Sequence, residues 1–130
     1  MRKLIAVVFA AGLVLAACGG DDGGEGTTTG GDNCVDLSSG ADFRMTMQDN
    51  TFDPDCLTAK NTQKLDIENL GNNQHTFTID GTPVDVTVDA GTTQELPAPG
   101  DALAPGEYTF YCRFHGTPDG GGMAGTITVT

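Results

Sequence analysis

Short runs of alternating apolar and polar residues are the feature that most limits the folds open to this chain. Such runs recur about every 8 to 12 residues and are separated by turn-forming Asp, Asn, Gly and Pro. Residues 43–48 and 75–79 are clear examples, because every second side chain in each is suited to a buried face. No segment of the domain has a helical period of useful length. The pattern predicts an all-β sandwich or barrel.

Length and charge exclude several classes of function. A chain of 130 residues favours a single domain, and its 18 acidic residues outweigh its 6 basic residues to give a net charge of -12. Nucleic-acid binding requires clustered Lys and Arg, so we expect no nucleic-acid partner. The chain has two histidines, too few for a multi-metal oxidase or a three-histidine zinc hydrolase.

The N-terminus resembles a bacterial lipoprotein signal. Arg2 and Lys3 precede an apolar stretch, residues 4–14, that is too short to span a bilayer. Small residues then lead directly to Cys18, as they do where lipoprotein signals are cleaved. The resemblance implies a signal peptide over residues 1–17 and a lipid on Cys18 that holds an exported protein on the outer face of a bacterial membrane. The alternatives are an ordinary secretory signal and an uncleaved anchor.

A tether is expected to follow the lipidated cysteine. Residues 19–33 contain seven glycines, three threonines and four acidic residues, with no large apolar side chain to bury. We therefore assign residues 18–33 to a flexible tether and residues 34–130 to the folded domain. This domain has four basic and 14 acidic residues, a net charge of -10.

The remaining three cysteines divide into a pair and a single residue. Cys34 and Cys56 bracket one segment, whereas Cys112 lies far along the chain beside a histidine. Because export places the domain in an oxidising compartment, we expect a disulfide between Cys34 and Cys56 rather than two buried thiols. Cys112 is left as a free thiol, and metal ligation would protect it from oxidation.

Four residues form a candidate metal-binding set. Cys112 and His115 are three residues apart at the end of a predicted strand, and Met123 follows in a glycine-rich loop. The other histidine, His75, also lies at a strand end. Two imidazoles, a thiolate and a weak axial thioether suit a copper ion that transfers electrons. Taken singly, each histidine could be a hydrogen-bonded structural residue and the methionine a core residue.

Several segments resemble motifs of the cupredoxins, the plastocyanin and azurin class of blue copper proteins. The resemblance covers roughly residues 42–130 and is carried by residues 72–79, 105–108, 110–116 and 122–129. It implies a Greek-key β-sandwich of seven to eight strands that binds one type 1 copper ion, alternating between Cu(I) and Cu(II). The implied ligands are His75, Cys112 and His115 in the equatorial plane and Met123 on the axis.

The chain departs from the family pattern in its copper loop. Seven residues, 116–122, separate His115 from Met123, where plastocyanin-like loops commonly hold fewer. The length of this loop bears on how tightly Met123 is held. Beside the first histidine, where the family often has Asn or Ser, this chain has Thr76. We expect Thr76 or its neighbouring backbone to supply the hydrogen bond that fixes the copper loop.

These residues favour a monomeric, membrane-tethered carrier of single electrons rather than an enzyme. The resemblance implies that electrons pass through His115, with Phe114 and Pro118 forming an apolar patch around it, and the acidic surface favours redox partners that have cationic docking surfaces. Two alternatives use the same sequence features: a copper-binding or copper-delivery module, and a metal-free interaction sandwich. An enzyme is not expected, because both histidines are committed to one metal ion.

Overall fold

Ten β-strands make up the regular structure of residues 34–96, 98 and 102–130, which are the residues that the computed structural model describes. The predicted signal peptide, lipidated Cys18 and tether lie outside these residues. Within the described ranges no helix is long and apolar enough to cross a membrane. The strands in chain order are β1 (Val35–Asp36), β2 (Phe43–Gln48), β3 (Thr51–Asp53), β4 (Cys56–Ala59), β5 (Leu65–Asn69), β6 (His75–Thr78), β7 (Asp85–Val88), β8 (Thr93–Leu96), β9 (Gly106–Gly116) and β10 (Gly122–Val129).

The strands form two sheets. Sheet A has the order β1-β4-β10-β9-β6-β7, and sheet B has the order β3-β2-β5-β8. Both sheets are mixed, because β4 runs parallel to β1 and β10, and β2 runs parallel to β5. The predicted all-β sandwich is therefore confirmed. There are more strands than the expected seven to eight, since β1 and β3 are pairings of two and three residues, too short to show a period in the sequence.

The core lies between the sheets and follows from the alternating runs. In β2 the residues Phe43, Met45 and Met47 are buried while their neighbours are more exposed. Both methionines thus belong to the core, as the alternation predicts. Phe110 packs edge-on against Phe52 and stacked against Phe77, with both centroid distances at 5.0 Å. Each such buried side chain contributes about 1.5–3 kcal/mol through the hydrophobic effect.

The predicted disulfide is present. Cys34 and Cys56 are bonded, with their Cα atoms 4.5 Å apart. The bond ties the start of the described chain to the first residue of β4. In the loop-entropy account a closed span of this length stabilises the fold by roughly 3 kcal/mol. Cys112 is the free cysteine among the described residues and is buried.

The sheet topology brings the candidate ligands to one end of sheet A. Strand β9 lies between β10 and β6. It pairs antiparallel with both, for example through Thr78 and Tyr111. Consequently the start of β6, the end of β9 and the start of β10 meet at the same edge of the sandwich. His75 is the first residue of β6, so it faces the turn that joins β9 to β10.

Candidate metal centre

Two imidazole nitrogens and one thiol sulfur converge at this end of sheet A. Sγ of Cys112 lies 3.7 Å from Nδ1 of His75 and 3.6 Å from Nδ1 of His115. The two Nδ1 atoms are 3.2 Å apart. In the part of the chain that the structure describes, a search for clustered His, Cys, Asp and Glu side chains that could hold a metal ion finds this trio. The structure thus brings together three of the four candidate ligands.

The triangle fits a metal ion in both size and chemistry. Corners separated by 3.2–3.7 Å lie about 2 Å from the centre of the triangle, and bonds from zinc to imidazole nitrogen or thiolate are about 2.0–2.3 Å long. A set of two histidines and one cysteine matches the preference of copper electron-transfer centres.

Burial keeps the candidate ligand His75 in its neutral form. Its side chain is 0% exposed, and this burial is the main cause that lowers the pKa of His75. Asp49 opposes the shift, and the nearby His115 adds to it. Because Nδ1 faces the other donor atoms, we assign the proton of the neutral ring to Nε2. A neutral imidazole with a free Nδ1 is the form that binds a metal ion.

Asp49 faces the other side of the His75 ring. Its Oδ1 is 3.6 Å from Nε2, a buried nitrogen with no hydrogen-bond partner at normal distance. A carboxylate behind a ligating histidine typically fixes the orientation and tautomer of the ring. The His75 ring thus lies between the other donor atoms on its Nδ1 side and the Asp49 carboxylate on its Nε2 side.

Asp49 also clamps the loop that leads into β6. Its Oδ1 accepts hydrogen bonds from the backbone N–H of Asn72 at 2.9 Å and from both nitrogens of Asn73 at 3.1–3.3 Å, and Oδ2 accepts one from the Asn72 amide at 3.1 Å. These donors, those of Asn72 first, lower the pKa of Asp49 to about 2. Sequence reasoning treated Asp49 as a turn residue and missed this role. The available signal is that Asp49 and Asn72 each follow one of two strands, β2 and β5, that prove to be parallel neighbours.

The Cys112 sulfur is positioned by the strand that carries His75. Cys112 is 0% exposed, and its Sγ accepts a hydrogen bond from the backbone N–H of Thr76 at 3.4 Å. The Thr76 hydroxyl in turn accepts a hydrogen bond from the backbone N–H of Arg113 at 2.8 Å. Either Thr76 or its backbone was expected to supply a hydrogen bond here; the backbone donates one to Sγ, and the hydroxyl accepts one from Arg113.

His115 differs from the other two candidate ligands because it is exposed. It follows Phe114, which is 53% exposed, and the two ring centroids lie 6.3 Å apart. The guanidinium of Arg113 lies 5.9 Å from the centre of the Phe114 ring. Pro118 in the following turn is also exposed. An exposed imidazole beside apolar side chains is what the sequence predicted for an electron port.

Glycines bring the two chains of the β9–β10 hairpin unusually close. A Cβ atom added to Gly116 would lie 2.3 Å from the carbonyl oxygen of Met123, and one added to Gly122 would lie 2.3 Å from that of His115. Gly122 also has a φ of +71°, which residues with side chains rarely adopt. Only glycine allows this contact between the backbones at His115 and Met123.

The long loop between His115 and Met123 is compact. Thr117 donates its backbone N–H to the carbonyl of Gly121 at 2.9 Å, and Gly120 donates to the carbonyl of Thr117 at 3.1 Å. A closed turn therefore takes up the additional residues. Met123 lies at a bulge of β10 and is 1% exposed. Its side chain is buried within the core cluster, and its role as axial ligand stays a prediction.

Comparisons with known proteins agree with this architecture. A family model described as a cupredoxin-like domain matches residues 27–129. One similar solved structure is a purple cupredoxin from Nitrosopumilus maritimus, at 17% identity and a TM-score of 0.50, covering 68% of this chain and 100% of that one. Another is an amicyanin variant in its reduced state, at 16% identity and a TM-score of 0.53, covering 72% and 86%.

A copper-containing nitrite reductase from Thermus scotoductus is also similar, at 19% identity and a TM-score of 0.52 over 68% of this chain. The aligned part is 22% of that chain, so the present chain spans about a fifth of the reductase. At these identities the likeness is one of fold. No curated protein sequence matches the chain.

Proposed function

Because the chain belongs to the cupredoxin-like family, we propose that it binds one type 1 copper ion and carries single electrons. His75, Cys112 and His115 would be the equatorial ligands and Met123 the axial one. The observation that carries this proposal is the convergence of two imidazole nitrogens and one sulfur within 3.7 Å of one another. When bound, copper supplies the Cu(I)/Cu(II) couple.

The protein contributes a rigid set of donors and one exposed edge. His75 and Cys112 are fully buried, with the Asp49 carboxylate behind the His75 ring and the Thr76 backbone N–H donating to the Cys112 sulfur. Donors whose rotamers are fixed by packing and hydrogen bonds keep one geometry in both oxidation states, which favours fast electron transfer. The exposed His115 provides the contact with a redox partner. A copper-delivery module would use the same three donors, so the two functions are separated by the experiment given below.

We propose no catalytic activity for this chain. Both of its histidines lie in the one metal centre, so none is left for a second copper ion. The reductase that shares the fold is about five times longer than the aligned part. Addition of nitrite to the reduced copper-loaded protein should leave its copper oxidation state unchanged on the time scale of partner oxidation.

We further propose that the domain is a monomer held on the outer face of a bacterial membrane by a lipid on Cys18. The support is the signal-like sequence before Cys18 and the start of the family match at residue 27, beyond it. Radiolabelled fatty acid fed to expressing cells should be incorporated into the wild type and not into Cys18→Ser. The net charge of -10 on residues 34–130 favours cationic partners, with association that weakens as salt increases.

Copper loading tests the central proposal. The Cu(II) form of the wild-type domain should show the intense visible absorption of a copper–thiolate bond, and Cys112→Ser should lose it while keeping its β-rich circular dichroism. Wild-type protein that folds and lacks this absorption would contradict the proposal. Stopped-flow mixing of the reduced protein with candidate oxidants then separates the two copper functions. A protein that releases copper readily and passes no electrons is a delivery module.

A further inference from the structure

A closed ring of polar contacts lies beside Cys112. It is formed by the side chains of Thr76, Thr78, Asp85 and Arg113 and by the backbone N–H of Arg113. The ring begins and ends on Arg113, which follows Cys112 directly. The backbone N–H of Arg113 donates to the hydroxyl of Thr76 at 2.8 Å, and its Nε lies 2.9 Å from Oδ1 of Asp85. Between these two ends, the hydroxyl of Thr78 lies 3.1 Å from that of Thr76 and 2.8 Å from Oδ1 of Asp85.

The available protons fit this ring in one direction. A carboxylate can only accept, so Thr78 donates its single hydroxyl proton to Asp85. The Thr76 hydroxyl accepts from the Arg113 backbone, and its own proton is then directed to Thr78. Both hydroxyls belong to buried residues, whereas Asp85 and Arg113 reach solvent. Asp85 therefore sets the hydrogen-bond direction of the two buried hydroxyls.

Near Cys112, this ring takes the place of regular backbone pairing between β6 and β9. In the described part of the chain, the register between β6 and β9 contains one pair, Thr78 with Tyr111. Beyond that pair the backbone N–H of Arg113 bonds to a side chain, the Thr76 hydroxyl, rather than to a strand carbonyl. The position of β9 around Cys112 thus depends on side-chain bonds that end at Asp85 on β7, a strand with no candidate ligand.

We propose that this ring positions the Cys112 thiolate, with Asp85 as a positioning residue. The proposal rests on the proposed function in so far as Cys112 is the copper ligand. Loss of the Asp85 carboxylate leaves the Thr78 and Thr76 hydroxyls without a terminal acceptor and frees the side chain of Arg113. The backbone on both sides of the sulfur then loses its fixed geometry, since Thr76 also donates to Sγ.

Hydrogen exchange of the copper-free protein tests the ring without any metal. Exchange of the Arg113 backbone amide should be at least about tenfold faster in Asp85→Ala than in the wild type, because opening of its hydrogen bond is no longer opposed. Asp85→Asn keeps a side-chain oxygen that can accept both bonds and should restore most of the protection. The matched control is Asp66→Ala, which removes a carboxylate 3.9 Å from Arg44 in sheet B. An Arg113 amide equally protected in Asp85→Ala and the wild type would overturn the proposal.

The copper-loaded protein supplies a spectroscopic readout that a general loss of stability would not move. The maximum of the copper–thiolate band should shift in Asp85→Ala and in the isosteric Thr78→Val, and should stay at the wild-type position in Asp85→Asn and Asp66→Ala. Unshifted bands in both Asp85→Ala and Thr78→Val would overturn the positioning role while the copper site itself stands. A wild type without the band contradicts the proposed function, and hydrogen exchange then decides whether the ring holds the cysteine.

Discussion

The two halves of the candidate metal centre are held by different forces. The strand half consists of His75 on β6 and Cys112 on β9, both fully buried. It is fixed by polar contacts from Asp49 and Thr76. The hairpin half consists of His115 and Met123, at the two ends of the loop between β9 and β10. It is fixed by direct contact between backbones.

The difference determines what each half tolerates. The strand half depends on specific donors and acceptors, so it should be sensitive to polar substitutions and to pH. The hairpin half depends on the absence of side chains at Gly116 and Gly122, so it should be sensitive to the size of a residue rather than to its charge. Because His115 is exposed, the hairpin half is also open to small molecules from solvent.

The largest difference is expected when each histidine is removed in turn. His115→Gly should lose the copper–thiolate band and regain it when millimolar imidazole is added, because the vacated position opens to solvent. His75→Gly should lose the band without recovery, since its position is buried. Visible titration with imidazole measures both. Equal recovery in the two variants would show that burial does not distinguish the halves.

The next largest effect is expected from a methyl group in the hairpin half. Gly122 and Gly91 share a φ of +71°, but a Cβ atom on Gly91 would have no neighbour within 4 Å. Gly91→Ala should therefore cost about 1–2 kcal/mol of backbone strain. Gly122→Ala should cost about 1–3 kcal/mol more, because its methyl group meets the carbonyl of His115. Urea unfolding of the copper-free proteins compares them, and equal losses would contradict the close-contact explanation.

A smaller effect is expected from pH in the strand half. Folding lowers the pKa of Asp49 to about 2, so the folded state binds fewer protons there than the unfolded state. Its stabilising contribution is therefore complete above the ordinary Asp pKa of about 3.9 and is lost as the pH falls towards about 2. Asp49→Asn should be less stable at neutral pH and should lose less stability over this acidic range than the wild type.

Thermal unfolding at a series of pH values measures this change. Asp66→Asn is the control, because it removes a carboxylate near Arg44 in sheet B rather than one that holds the loop before His75. Identical pH profiles for the wild type and Asp49→Asn would mean that the hydrogen bonds from Asn72 and Asn73 do not stabilise the fold.

The smallest effect on stability is expected at the exposed surface of the hairpin half. Phe114→Ala should change the free energy of unfolding by no more than about 0.5 kcal/mol, since the ring is 53% exposed. Electron exchange with a partner should nevertheless slow down. Val35→Ala, at an exposed apolar residue of β1, is the control and should leave the exchange rate unchanged. Equal rates in all three proteins would remove Phe114 from the docking surface.

In the strand half, the candidate ligands could be predicted from the sequence more completely than the residues that hold them in place. Local alternation predicts that His75 lies on the buried face of its strand, and His75 is buried, as are the other three residues of β6. Thr76 could be predicted as a support because it is adjacent to His75 in the chain. Asp49 could not, because its contact with the loop requires that β2 and β5 be parallel neighbours, a long-range pairing without a local signal.

In the hairpin half, the residues that matter are visible in the sequence, but the contacts that require them are not. Its glycines and its length are visible in the sequence, and the length raised the question of how Met123 is held. The structure places the additional residues in the turn closed by Thr117 and Gly121. The requirement for glycine at 116 and 122 follows from carbonyl groups across the hairpin, which composition alone does not reveal. Asp85 was missed for a similar reason, since its partners come from two other strands.

The disulfide at Cys34 also determines how the domain bears a mechanical load. A pull on the chain before Cys34 enters through this residue and passes directly to Cys56 on β4. In sheet A, β4 is separated from β9 by β10, and β6 lies beyond β9. Tension on the N-terminal side is therefore borne first by the disulfide and by the parallel β4–β10 pairing. Strand β10 thus stands between the point where the load enters and the two strands, β9 and β6, that carry Cys112 and His75.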